Sequence, residues 1–289
     1  MKPFAVCLLY IFLLFVGCAR STQPGASQKR GDADRNTGLA VRAEAAAKAA
    51  RYFEIPAVDR PEEIIYHTAY SLMYSEPHEQ AEWVAYLLTA ERTSNDFKRK
   101  NDFRSDPKVT SGSATHADYK GSGYHRGHLA PSADMGWSAE TQSESFYYSN
   151  MSPQLPAFNT GIWSKLERQV RDWAVAYDSI FVVTGPVLTD GLPAIGPNEV
   201  AVPQQYYKVI MHYSHASPKA IGFIVPHEGS KAHVSTFAVS VDSVEAVTGL
   251  NFFPTLPPEK ASVESECCIP CWEWNGAVRG PKINPSLQD

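Results

Sequence analysis

The stretch Tyr124-His125-Arg126-Gly127-His128-Leu129-Ala130-Pro131 brings a fixed cation, a base that titrates near neutrality and a glycine into one short element. In an extended strand side chains alternate, so Arg126 and His128 share one face and His125 takes the other. Gly127 between them leaves room for a backbone or a ligand to approach. This set suits phosphodiester cleavage: His128 can take a proton from water while Arg126 grips a phosphate through its planar fork. A histidine beside an arginine is also a common surface pair, so the stretch does not decide the chemistry alone.

A second constellation follows: Asn150-Met151-Ser152-Pro153-Gln154, then Asn159, Trp163 and Glu167. With it the sequence resembles the DNA/RNA non-specific endonucleases of the ββα-metal class. Their signature is Asp-Arg-Gly-His-x-Ala-Pro, then Asn-x-x-Pro-Gln, then an asparagine that opens the metal-site helix. Here these fall on residues 125–131, 150–154 and Asn159. The resemblance extends to Asp118-Tyr119, Thr184-Gly185-Pro186, Val202-Pro203, Tyr207-Lys208-Val209 and the run from Thr248 to Pro254. It covers roughly residues 60 to 255.

The resemblance implies that His128 is the general base and Asn159 the direct protein ligand of one Mg²⁺, with Mn²⁺ as the alternative ion. Such a site is physically reasonable, because Mg²⁺ is hard, keeps much of its water and needs few protein oxygens. Glu167 matches a family acid that orients the metal's water shell. At about 1.5 Å of rise per residue it lies too far along the helix to ligate together with Asn159. Arg99 matches the region of the substrate-clamping arginine, with Arg104 and Arg92 as competitors for that role. Asn150 is expected to support the site by hydrogen bonding, and Gln154 belongs to the same segment. The implied reaction is in-line attack of water on DNA or RNA with little sequence preference, leaving 5′-phosphate and 3′-hydroxyl ends.

One position departs from the pattern: His125 stands where the family carries an acid. Strand alternation turns it away from His128 and predicts a supporting role. If it faced the metal instead, its imidazole would favour softer ions such as Mn²⁺ or Zn²⁺. The departure also admits a second function, a nucleic-acid-binding surface lipoprotein of the same fold with weakened catalysis. A zinc hydrolase built on His116, His125 and His128 is disfavoured, since histidines three apart on a strand point oppositely.

The elements that must hold these residues are readable in outline. Ile64 to Tyr74 and Trp83 to Leu88, around Ser75-Glu76-Pro77, predict a hairpin. Residues 94–123 form a polar stretch too long to be an idle connection. Ile162, Trp163, Leu166, Val170, Trp173, Ala174 and Tyr177 recur at helical spacing after Asn159, a candidate N-cap. Ile180 to Thr184, Tyr206 to Tyr213 and Ala220 to Val225 predict strands, and a helix capped at Asp242 or Ser243 ends at Gly249. The elements therefore read as mixed α and β in one domain, and the resemblance implies an α+β class, the ββα-metal nuclease fold, with a central antiparallel sheet and flanking helices.

The 289-residue chain carries a net charge of −5, so any phosphate-binding surface must be local. Arg92, Lys98, Arg99, Lys100, Arg104 and Lys108 supply such a cluster, diluted by Asp96, Asp102 and Asp106. Lys2 followed by an apolar run to Val16 reads as a signal peptide over residues 1–17. The segment ending at Cys18 resembles a bacterial lipoprotein cleavage site, which predicts export and membrane attachment in the cell envelope through a lipidated Cys18. A polar tether over 18–59, the endonuclease domain over 60–258 and a Cys/Trp-containing tail over 259–289 complete the expected organisation. In that tail Cys267, Cys268 and Cys271 allow one bridge and leave one thiol.

Overall fold

The structure is a computed structural model that describes residues 52–214 and 217–274, with positions 41, 44 and 48. The signal segment, Cys18 and nearly all of the expected tether lie outside the described residues. The chain divides into two compact units, Met1–Val41 and Arg42–Asp289, and the fold is that of the second.

Its frame is a seven-stranded antiparallel sheet in the order β1-β2-β3-β6-β9-β10-β11. These strands are β1 (Ile65–Tyr66), β2 (Ser71–Ser75), β3 (Gln80–Thr89), β6 (Ser179–Pro186), β9 (Gln205–His212), β10 (Lys219–Pro226) and β11 (Ala238–Val239). The predicted hairpin is β2–β3, turned through Glu76–His78. The central strands are buried on both faces, which explains their nearly continuous apolar character.

Alternation divides the sheet's side chains into two cores. Leu72, Val84, Tyr86, Val182, Ile210 and Phe223 pack on one face with Leu166, Val170 and Trp173. The last three come from a helix, Ser164–Ala176, whose apolar positions recur every three or four residues. Met73, Trp83, Val183, Tyr207, Val209 and Met211 take the other face, with Val241 and Val244 of the helix Val241–Thr248. Ser240, rather than Asp242 or Ser243, caps that helix by accepting from Ser243 N–H, and Gly249 ends it at φ 72°. The Ser240 hydroxyl, on the residue just before the helix, reaches the free N–H, as an N-cap must.

A separate ribbon stands beside the sheet. It pairs β4 (His125–His128) with β5 (Met151–Gln154) antiparallel, so that His125 lies opposite Gln154 and Gly127 opposite Ser152. A π turn, Phe158–Trp163, leads from β5 directly into the Ser164–Ala176 helix. Asn159 thus sits inside that turn and not at a simple N-cap. Two short helices complete the site's supports: α1 (His116–Tyr119) and α2 (Ala139–Glu144), with β7 (Ala194–Ile195) and β8 (Val200–Ala201) forming a small hairpin. The Ser164–Ala176 and Val241–Thr248 helices are α3 and α4.

Packing onto the sheet and its helices extends beyond residues 60 and 258. Phe53 and Ile55 already pack on the outer core, and Phe53 stacks on Phe253 at 5.4 Å. At the other end Trp272 is buried against Trp173 of α3, with ring centroids 4.5 Å apart. Cys268 and Cys271 are bridged, and Cys267 is free and exposed.

Candidate active site

Strand β4 is held on two sides. Asn150 receives the N–H of Ala130 on Oδ1 at 2.9 Å, and its Nδ2 donates to the carbonyls of Ala130 and Ser145. These bonds clamp the chain two residues beyond His128. On the other side, a Cβ added to Gly127 would lie 2.1 Å from Cδ of Gln154. The space beside Gly127 is therefore taken by a buried glutamine and is not an approach path for a ligand.

His128 is buried, 8% exposed, and packs against Phe103 and Phe146. Its ring meets Phe146 edge-on at 5.0 Å and Phe103 at 6.0 Å, while the Arg126 guanidinium lies 3.8 Å over the Phe103 ring. Arg126 and His128 thus reach one aromatic plate from one face of the strand. The Nε2 of His128 is buried and has no hydrogen-bond partner among the described residues. Burial, with the positive charges of Arg99 and Arg126, pushes its pKa down to about 3, so the imidazole is neutral and its lone pair available.

Phe103 also lines a cleft of about 610 Å³, together with Arg99, Asn101, His116, Tyr119, Lys120, Tyr124, His125, Arg126 and Asn159. It contains no carboxylate. Of the three arginines weighed for a clamp, Arg99 faces this cleft, held by Nη1 to Ser132 Oγ at 2.6 Å and Nε to Asn101 Oδ1 at 2.7 Å. Arg104 is tied to Asp102 and Ser143, and Arg92 bonds the Leu87 carbonyl and covers Trp137.

His125 does not turn away from the cleft. Asn159 Nδ2 stands 3.2 Å from His125 Nδ1. An amide nitrogen only donates, so Nδ1 is the acceptor in this contact. The π turn brings Asn159 to the start of β4, where it meets His125. This bond turns the Asn159 amide so that Oδ1 is left as a neutral oxygen donor in a carboxylate-free cleft.

That donor suits a hard divalent ion that keeps most of its water and takes substrate oxygens as further ligands. A protein-caged transition metal fits poorly: among the described residues no group of three His, Cys, Asp or Glu could hold one.

Glu167 is partly buried on α3, eight residues after Asn159. Burial raises its pKa, opposed by the nearby positive charges of Lys208, Arg171 and Arg99. Behind it Asp134 accepts from Arg171 at 2.8 Å and from the Tyr86 hydroxyl at 2.8 Å. Lys208 is fully buried, its Nζ 4.8 Å over the Trp163 ring and without a hydrogen-bond partner among the described residues.

This buried charge group was missed in the sequence. Its signals were Arg171 one helical turn after Glu167, and a lysine amid the apolar β9. His227 was missed too: its Nδ1 donates to the Pro203 carbonyl at 2.7 Å, and its Nε2 accepts from Leu155 N–H at 2.7 Å. Those two bonds anchor the start of the turn that presents Asn159.

The arrangement is a ribbon, a π turn and a helix around one buried base. A family model for DNA/RNA non-specific endonucleases matches residues 50–259. The chain belongs to this family. Mitochondrial nuclease EXOG of Danio rerio is 35% identical over 214 residues, 68% of this chain and 62% of its own length. Mitochondrial endonuclease G of Homo sapiens is 34% identical over 212 residues, 68% of this chain and 71% of its own. A crystal structure of an EndoG/EndoGI complex contains a chain 31% identical to this one, with a TM-score of 0.67, covering 75% of this chain and 94% of that one. The chain therefore spans less than two thirds of the length of the fish relative. In this member His125 occupies the place of the signature acid.

Proposed function

We propose that this protein is a metal-dependent, sequence-non-specific endonuclease that hydrolyses phosphodiester bonds of DNA and RNA to 5′-phosphate and 3′-hydroxyl ends. One observation carries the reading: the buried Nε2 of the neutral His128, without a hydrogen-bond partner among the described residues, on a ring that packs against Phe103 of a cleft lined with cations and Asn159.

An isolated buried ring nitrogen is costly for a fold, and here it gives a base waiting for a proton. Arg126 and Arg99 attract the scissile phosphate and orient it. Once their charges are offset by phosphate, His128 loses part of the repulsion that holds its pKa down. Its proton affinity then rises as the substrate arrives. Water attacks phosphorus, its proton passes to His128 Nε2, and the phosphorus–O3′ bond breaks in line. The Mg²⁺ expected at Asn159 Oδ1 would neutralise phosphate and leaving-oxygen charge. His125 holds the amide in the orientation that frees Oδ1, and Glu167 acts from the helix beyond.

We also propose export and anchoring in the bacterial envelope through a lipidated Cys18, a reading supported by the leader pattern. Labelled fatty acid incorporated by wild type and not by Cys18→Ser would establish it.

The decisive experiment digests plasmid DNA and RNA with the domain in Mg²⁺, in EDTA, and as His128→Ala. Cleavage of both substrates, lost in the latter two, supports the endonuclease. Nucleic-acid binding without cleavage in any divalent ion would instead support the binding protein.

A further inference from the structure

The catalytic reading uses one wall and the floor of the cleft, and leaves its other wall without a task. That wall is α1, a single helical turn that ends at Lys120. His116 and Lys120 are four residues apart, hence on the same side of the turn, and both line the cleft. Both are exposed, and neither side chain has a hydrogen-bond or ion-pair partner among the described residues.

So short a helix does not hold its own shape, and the protein fixes it from behind. Asp118 accepts from Thr115 N–H at 2.6 Å, Thr115 Oγ1 at 2.9 Å, Asn198 N–H at 2.8 Å and Asn198 Nδ2 at 2.9 Å. These bonds tie α1 to the β7–β8 hairpin and spend its only carboxylate on the side away from the cleft. Gly196 lies so close that a Cβ there would meet Asp118 Cα at 2.1 Å. Tyr119 stacks on Tyr148 with centroids 5.6 Å apart, locking the turn to the residue before Ser149-Asn150. A rigidly mounted pair of unpaired basic groups facing a carboxylate-free cleft has the chemistry of an anion site.

We propose that His116 and Lys120 form a second phosphate subsite, which holds a backbone phosphate next to the one placed at Arg126 and Asn159 on the same strand. The inference rests on the nuclease reading and adds to it. The cleft grips a polymer by two successive phosphates, so the protein favours chain interiors over substrates with one phosphodiester.

The test measures binding of a fluorescent single-stranded oligonucleotide in EDTA across a salt series, for wild type, Lys120→Ala, Lys120→Arg and His116→Ala. Lys165→Ala, an exposed lysine on α3 outside the cleft, is the charge control. Each phosphate contact contributes about 0.7 to the slope of log affinity against log salt on single strands. Lys120→Ala is expected to flatten the slope by about that amount, Lys120→Arg to restore it, and Lys165→Ala to leave it unchanged. In Mg²⁺, Lys120→Ala should raise the oligonucleotide KM far more than it lowers kcat. An unchanged slope in Lys120→Ala overturns the subsite while leaving the nuclease reading intact. Equal flattening by Lys165→Ala overturns it as well, because the effect would then be bulk charge. A wild type with no salt-dependent binding overturns both readings.

Discussion

The side-chain amide of Asn159 donates to Nδ1 of His125 across 3.2 Å, joining the residue proposed to hold the metal to the position where an acid is expected from the signature. An aspartate at 125 would offer a charged acceptor to the same amide, so the substitution conserves the hydrogen bond while removing a negative charge. Outer-shell partners of this kind typically contribute about 10- to 100-fold in metal affinity. His125→Leu should therefore raise the Mg²⁺ concentration needed for half-maximal cleavage by that range, with thermal stability nearly unchanged. His125→Asp should keep or lower it. A Leu variant with wild-type Mg²⁺ dependence would show that the bond orients nothing.

His128 makes a prediction about pH. An unfolded histidine titrates near 6.5, whereas the folded one is held neutral down to about 3. Between these values the unfolded chain binds a proton that the folded chain does not. Stability from this group is therefore complete above pH 6.5 and declines as pH falls towards 3, by about 1.4 kcal/mol per unit. At pH 5 the loss is about 2 kcal/mol. Urea unfolding at pH 7.5 and 5 should show it in wild type, and His128→Asn should remove that share of the pH dependence. The acid limb of kcat/KM, which reports the free protein, should lie well below pH 6. At neutral pH the loss of this base in His128→Ala should lower kcat by about 10² to 10⁴.

Gly127 and Gln154 predict a coupled pair. A methyl at 127 meets the buried Gln154 side chain at an impossible distance, and overpacking of this kind costs about 1–3 kcal/mol. Gly127→Ala should be destabilised by that amount, and adding Gln154→Ser should recover part of it. Additive losses in the double-mutant cycle would mean that the two residues do not touch.

The sequence carried the chemistry further than the geometry. The sheet strands and α3 were legible because their apolar periods are strong and local. The shared face of Arg126 and His128 was legible too, since both reach Phe103. The direction of His125 was not, because a π turn 34 residues later brings Asn159 to it. The same holds for Asp118 with Asn198, 80 residues apart, and for His227 with Leu155, 72 apart. Contacts of this kind depend on how elements dock, and no local period records them. Lys208 was conspicuous as a cation in an apolar strand, yet its neighbours Glu167 and Asp134 come from two other segments.

The tail offers the last test, because it lies beyond the family match and yet rests on the helix that carries Glu167. Trp272 packs on Trp173, Trp173 Nε1 donates to the Glu273 carbonyl, and Glu273 N–H donates to the Tyr177 hydroxyl at 2.9 Å. Lys219 Nζ adds a bond to the Cys271 carbonyl at 2.9 Å. Removing a buried tryptophan costs about 3–5 kcal/mol, whereas the Cys268–Cys271 bridge closes a loop so small that its removal costs about 2 kcal/mol. Trp272→Ala should therefore destabilise the domain more than Cys268→Ser with Cys271→Ser, and both should unfold in one transition with the rest. If Trp272→Ala leaves the urea midpoint unchanged, the tail folds apart from the domain and α3 does not depend on it.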